Sequence, residues 1–446
     1  MPINQCHRTV RWLRDVMQYF DAIERDNTAP MNNLFERVLY TELPRDVDYS
    51  WLNPIIIVWG IATQGLLFSL VFLFGSWDGF MRAYAHIETE FGQDSKLLFL
   101  FVTAFAIIFR SYFCVTSITK FKATMQKDFD SRYSVFVISG IVTQNMAMLV
   151  VYIFVAMALL LAGYSFSNYS SLIEFGVIVD HYKTVIDQVP TVFNIGYWPT
   201  LVLTYLVYSF FAYWLHRLGH ESRLLWLLSH RPHHFSTTLH AGTTVEADPP
   251  FVLGLISRLM VAFIASLFVK LFYDDSYLFI ELVMYQMVIG TLLFFNHSDV
   301  HYDCLRNNKW LYPLVRFAGI GPFHYLHHSS APEHSKVNIS GEFWCFWDRI
   351  FGTYAEPPKK IPKVGLTHQP EIYMNPISFA FSGLLQIIYE LRHNRSLLVR
   401  LKIVFGGVAY IPPQTKNYLK KPGGSTLSSP LIGVQGKAAA AGHLLT

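Results

Sequence analysis

Long apolar runs punctuate the first two-thirds of the chain, at about 54–75, 97–114, 135–162 and 192–215. A helix needs about 20 apolar residues to cross about 30 Å of hydrocarbon, and each run is close to that length. Pro54 opens its run, a position where a helix tolerates proline. Two further apolar runs, about 251–272 and 277–296, flank the acidic pair Asp274-Asp275. They predict a helical hairpin that enters the bilayer and returns. The expected fold is therefore all-α: a polytopic membrane protein with about four spanning helices, a membrane-embedded hairpin and a cytosolic, histidine-rich helical cap.

Charge sets the orientation, because positive residues mark the cytosolic side. The head carries Arg8, Arg11, Arg14, Arg25, Arg37 and Arg45, and the loop after the second run carries Lys120, Lys122, Lys127 and Arg132. The loop after the first run has only Arg82 and Lys96, and that after the third only Lys183. The head then lies inside, four crossings return the chain inside at His216, and the hairpin returns it again at His297.

The same pattern divides the chain. Residues 1–50 read as a cytosolic head with a surface helix near 10–23 and no signal peptide. Residues 51–191 hold the first three spans, and 192–356 form a histidine-bearing domain. Residues 357–419 read as an amphipathic region on the membrane surface. Its helices, within 376–406, would turn Arg392, Arg395, Arg400 and Lys402 toward anionic headgroups. The Gly/Ser/Ala-rich stretch 420–446 reads as disordered. The aromatic stretch 344–354 suits an interfacial belt.

Composition agrees with a membrane protein: of 446 residues, 52% are hydrophobic and 15% charged. A net charge of +4 is too weak to argue for nucleic acid. The four cysteines, at 6, 114, 304 and 345, form no CxxC, so neither a disulfide framework nor a thiolate metal site is expected. Gly-rich phosphate loops and the Gly-Xaa-Ser-Xaa-Gly elbow of serine hydrolases are absent.

Ten of the eighteen histidines fall in four clusters between 216 and 328. They are His216 and His220, then His230, His233 and His234, then His297 and His301, then His324, His327 and His328. The patterns run HxxxH, HxxHH, HxxxH, HxxHH. Helical residues three or four apart share a face, so each cluster aims its rings at one place. Imidazole is the commonest protein metal ligand and suits iron, zinc and copper. Ten rings exceed the needs of one ion and fit two close together. No Glu-Xaa-Xaa-His pair of a carboxylate-bridged di-iron bundle occurs here. The acids Glu221, Glu246, Asp248, Asp299 and Asp303 are candidates to orient the rings from behind. His240 and His334 match no cluster and read as outer or surface residues.

The four clusters in this order resemble the membrane histidine-box superfamily of fatty acid hydroxylases and sterol desaturases. The likeness continues through Asn338, Gly341 and the run Trp347-Asp348-Arg349-Ile350-Phe351-Gly352-Thr353. Phe351-Gly-Thr-Tyr, Gly365-Leu-Thr-His368 and Asn375-Pro376 are similar to the alkylglycerol monooxygenase-like branch. Ile339 and Ser340 depart from the family's Asn-Tyr-Gly, and Phe405-Gly-Gly-Val-Ala-Tyr410 replaces a later motif. The resemblance implies O2-dependent hydroxylation or desaturation of a sterol or fatty-acyl lipid, with all ten clustered histidines holding two iron ions. Zinc is possible in the purified protein. The electron donor would be external, cytochrome b5 or a reduced pterin, since no His-Pro-Gly-Gly haem motif is present. The expected site is the endoplasmic reticulum membrane, with the active site facing the cytosol. Two alternatives are ether-lipid cleavage with a pterin and a non-catalytic metal-binding membrane protein.

Overall fold

The computed structural model describes chiefly residues 184–234, 252–274, 299–340, 345–366 and 376–413, together with Leu239, Asn296, His297 and scattered earlier positions. The expected head, most of the first three spans, the second arm of the hairpin and the tail lie outside the described residues. What is described is helical, with only two isolated bridges, Ser222 to Gly407 and Ser329 to Val364, in place of strands. Among the described residues no helix is long and apolar enough to cross a membrane.

The central helix is α1 (Tyr197–Glu221), which carries His216 and His220 at its C-terminal end. Thr200 and Thr204 return their hydroxyls to carbonyls four residues back, at 2.6 and 2.8 Å, so the helix keeps few free polar groups in its apolar half. Helix α1 packs along α3 (Val252–Lys270), with Tyr208, Val261 and Ala265 at the centre of the contact. The stretch before α1 is tied to the end of α3: Val192 and Phe193 both donate to the Leu271 carbonyl. Buried Lys270 faces Asp187 at 3.6 Å and Asp274 at 3.8 Å, and its cation suits the C-terminal end of α3.

Between α1 and α3 the chain makes a short helix, α2 (Arg223–Leu225), and then a wide π-turn, Trp226–His230. Pro232 stops this turn, and a 3₁₀ turn follows over Pro232–His234. Farther on come a 3₁₀ turn over Asp299–His301, then α4 (Tyr302–Asn307), α5 (Tyr312–Ala318), α6 (Pro322–His327) and α7 (Phe346–Phe351). The C-terminal pair is α8 (Pro376–His393) and α9 (Leu397–Phe405).

Helices α8 and α9 do more than present a charged face. Ile387 and Ile403 pack on Trp226 and Leu227 of the π-turn. Gly383 makes this approach possible, because a Cβ there would come within 1.8 Å of the Leu227 carbonyl oxygen. Beneath the contact, Arg223 forks onto buried Glu390 at 2.6 and 2.7 Å and also donates to the carbonyls of Ile403 and Tyr410. Gln386 bridges Glu390 to Arg231, which lies inside the second histidine cluster. Burial raises the Glu390 carboxyl, and the Arg223 charge opposes that rise. Removing one partner strands the other as an uncompensated buried charge. Glu390→Ala should therefore cost about 3–5 kcal/mol, whereas the apolar pair Arg223→Met with Glu390→Met should cost much less. Denaturant unfolding in detergent would compare them, and equal stability of Glu390→Ala and wild type would refute the bracing role.

Candidate metal centre

Helix α1 places His216 and His220 one turn apart on one face, with ring centroids 5.2 Å apart, as the HxxxH spacing predicts. The second cluster behaves differently from a single helical face. In the π-turn, Arg231 N–H reaches back five residues to the Trp226 carbonyl at 2.7 Å, and the tighter 3₁₀ turn follows at once. This change of pitch sends His230 and His234 one way and His233 the other. Gly219 lets the His230 ring lie against α1, since a Cβ there would sit 3.3 Å from it.

The rings gather into two groups. The first is His216, His220, His230, His234 and His327, and the second is His233, His297, His324 and His328. Within each group one nitrogen per ring lies within 4.8 Å of all the others. The middle histidine of each HxxHH crosses over, His233 to the second group and His327 to the first. Boxes one and two thus build the first group, boxes three and four the second, and they exchange one ligand each.

The structure unites nine of the ten expected residues, and His301 belongs to neither group. By position it is the equivalent of His220, but its turn is 3₁₀ rather than α. A 3₁₀ turn advances about 120° per residue, so four residues no longer return to one face. His301 instead lies 6.2 Å from the Tyr112 ring, centroid to centroid.

The Nε2 atoms face inward at hydrogen-bonding range. His230 Nε2 lies 2.7 Å from that of His220, 3.0 Å from that of His216 and 3.1 Å from that of His234. In the second group, His324 Nε2 lies 3.1 Å from that of His297 and 3.0 Å from that of His328. One ring N–H cannot serve three acceptors at once. A metal ion at about 2.0–2.1 Å from each nitrogen, however, would hold neighbouring nitrogens about 3 Å apart. The donor set and its spacing fit a metal ion in each group. Among the described residues no thiolate takes part; Cys304 is exposed, and buried Cys345 points its Sγ at the Arg316 carbonyl instead.

Sequence reasoning looked to carboxylates behind the rings. Two rings instead rest on main-chain carbonyls: His216 Nδ1 on Ile339 at 2.6 Å and His327 Nδ1 on Val337 at 2.8 Å. Backbone carbonyls carry no residue signature, so only the motif likeness at Asn338 pointed there. Glu221 is occupied by Lys336 at 2.8 Å and Arg217 at 3.7 Å, and Asp303 is exposed. Asp299 is buried beside the site, its carboxyl pushed up to about 6 by desolvation. Glu246, Asp248 and His240 lie outside the described residues, and His334 meets the Ser329 hydroxyl at 3.0 Å.

Burial lowers the basicity of these rings. His216 is brought down to about 4, and His230, His234, His324, His327 and His328 fall well below the usual value. All six are neutral at pH 7, as ligation requires. The unfolded chain takes up protons near pH 6.5 where the folded chain does not, so stability falls with pH below that value. Unfolding of the metal-free chain should be nearly pH-independent above about 7. It should then weaken by up to about 1.4 kcal/mol per pH unit per ring as pH drops through 6.5. Denaturant midpoints at pH 7.5, 6.5 and 5.5 would measure this; equal midpoints would mean that the folded rings protonate freely.

Residues 201–353, which contain all of these histidines, match the fatty acid hydroxylase family model. Among curated proteins, an alkylglycerol monooxygenase of Xenopus tropicalis is 29% identical over 166 residues, 37% of this chain and 32% of that protein. Its Homo sapiens counterpart is 26% identical over 208 residues, 47% of this chain and 42% of that protein. The Danio rerio protein is 27% identical over 156 residues, 35% of this chain and 30% of that protein. The chain thus spans well under half the length of the curated relatives it matches. No solved structure gives a significant match. Taken with the paired histidine groups, these matches identify residues 201–353 as a fatty acid hydroxylase-family segment, similar to the same region of alkylglycerol monooxygenases.

Proposed function

We propose that the chain is a membrane lipid oxygenase that holds two iron ions and hydroxylates or desaturates an unactivated C–H bond of a sterol or fatty-acyl lipid. The observation that carries this reading is the pair of adjacent all-imidazole groups, five nitrogens and four, inside the family-matched segment. Iron supplies redox chemistry with dioxygen and two external electrons; zinc in the same ligands has none. The chain's own contribution is to bring nine rings together with Nε2 atoms facing inward and, by burial, to lower the basicity of His216, His230, His234, His324, His327 and His328. His301 stays a candidate tenth ligand through its equivalence to His220.

A second reading is supported by the printed names of the relatives: cleavage of an alkylglycerol ether. Hydroxylation of the carbon beside the ether oxygen gives a hemiacetal, which collapses to a fatty aldehyde and glycerol. A reduced pterin would then supply the electrons, where the first reading uses cytochrome b5. The reading from another class, a non-catalytic metal-binding membrane protein, leaves the surplus of imidazoles without purpose. Membranes with wild type or His233→Ala, incubated under ¹⁸O₂ with a reductant, separate these readings. Label in a lipid alcohol or fatty aldehyde only with wild type identifies an oxygenase. Loss of two hydrogens without label identifies a desaturase. Neither change, from protein carrying two zinc ions and no iron after iron reloading, would sink the enzyme reading.

The membrane reading, an endoplasmic reticulum protein with its site facing the cytosol, draws support from exposed apolar stripes beside cations. On and before α5, Trp310 (77% exposed), Leu314 and Phe317 share one face; on α7, Phe346 and Ile350 do. Lys309, Arg316 and Arg349 flank them. On α9, Leu398, Leu401 and Phe405 form a similar stripe beside Arg400 and Lys402. Apolar side chains rimmed by cations suit an anionic leaflet. Benzoylphenylalanine at Leu314 or Leu398, irradiated in nanodiscs containing phosphatidylserine, should give lipid adducts, and the same group at exposed Glu333 should give few. Adducts to protein, or none, would argue against membrane contact at these faces.

A further inference from the structure

The two groups are not held alike. In the first, a carbonyl can only accept, so His216 and His327 must each donate from Nδ1 to Ile339 and Val337. In neutral rings that leaves both Nε2 atoms as lone-pair acceptors facing inward. In the second group, the Nδ1 atoms of His324 and His328 are buried and meet no hydrogen-bond partner among the described residues.

The two carbonyls flank Asn338, the only non-glycine with positive φ among the described residues, at 51°. That left-handed residue reverses the chain locally. Asparagine tolerates it when its side chain bonds nearby backbone. Here Asn338 Oδ1 accepts from Ala355 N–H at 2.9 Å, and Nδ2 donates to Ala355 at 3.0 Å and to Phe323 at 3.1 Å. Its own N–H donates to the Thr353 carbonyl at 2.7 Å. Phe323 directly precedes His324 on α6, so the loop is anchored to the helix that bears the fourth box.

Behind the loop lies Asp348, buried and shared between two segments. Its carboxylate accepts from Ser340 N–H at 3.1 and 3.3 Å and from the Thr353 hydroxyl at 2.6 Å. Thr353 in turn accepts from Tyr213 on α1 at 2.9 Å, three residues before His216. The path closes: α1 to Thr353, to Asp348, to Ser340, to Ile339 and back to His216.

We propose that Asn338 and Asp348 are positioning residues for the first group alone. They fix two main-chain carbonyls that set the tautomer and orientation of His216 and His327, so the first ion is held more tightly than the second. The proposal rests on the two-metal reading above. Loss of such an outer partner typically weakens metal binding 10–100-fold.

Asn338→Gly is the informative substitution, because glycine accepts the positive φ and removes only the side-chain bonds. It is placed in two backgrounds: His297→Ala, which spares the first group, and His220→Ala, which spares the second. Each protein is loaded with zinc, dialysed against graded chelator and assayed for bound zinc, with melting of the metal-free forms as the check on folding. Zinc affinity should drop 10–100-fold in the His297→Ala background and stay unchanged in the His220→Ala background. Equal loss in both would show a general structural role and overturn the inference while leaving the two-metal reading intact, as would no loss in either. Failure of the wild-type chain to bind zinc or iron at all would overturn both. Should a background fail to fold, cobalt loading of the single Asn338→Gly chain decides. One ion lost, with the more intense absorption of a four-coordinate site remaining, supports the inference; two ions retained or two lost opposes it.

Discussion

Nine largely buried imidazoles converge in two groups, and within each group one nitrogen per ring lies within 4.8 Å of all the others. A neutral imidazole has one donor and one acceptor nitrogen. Where the donor is committed outward, as in His216 and His327, the inward nitrogen can only accept. A cage of lone pairs opposes folding unless a cation fills it, because each unpaired buried polar atom carries its full desolvation cost. The surrounding structure forces these rings together, and burial lowers the basicity of six of them.

Two braces carry that load from opposite sides. The C-terminal helices clamp the second box through apolar packing on Trp226 and Leu227 and through the buried chain Arg223, Glu390, Gln386 and Arg231. The loop around Asn338 clamps the first and fourth boxes through main-chain carbonyls. Neither brace presents a side chain as an inward-facing nitrogen donor. Both convert residues remote in sequence into fixed ring orientations, which a cluster of long-range ligands cannot achieve by itself.

The histidine boxes were legible because ligation demands a residue type, and residue types are what a sequence displays. The HxxxH of α1 was also legible in geometry, since an uninterrupted helix obeys its period. The rest was set by backbone. Pro232 hinted at a break, but nothing local announced the π-turn before it, and so the splitting of HxxHH between two groups was hidden. His301 carried the same spacing as His220 and failed to join because its turn is 3₁₀. The carbonyls of Val337 and Ile339 left no trace except the asparagine between them. Residues 376–406 read as amphipathic and hold the helices α8 and α9; periodicity gives an apolar face but not its partner. Ile387 and Ile403 meet protein while Leu398 and Phe405 stay exposed. Glu390, polar by type, is buried as the counter-ion of Arg223.

The exchange of His233 and His327 has a consequence for how the two groups form. Each HxxHH contributes rings to both groups, and the crossing residue is adjacent to one that stays: His233 beside His234, His327 beside His328. The two groups therefore share α6 and the 3₁₀ turn at Pro232. An unequal pair, one with five nitrogens and carbonyl supports and the other with four nitrogens, follows naturally from one linked frame. Two rings of the first group rest on the Ile339 and Val337 carbonyls, whereas His324 and His328 of the second have no such support at Nδ1 among the described residues.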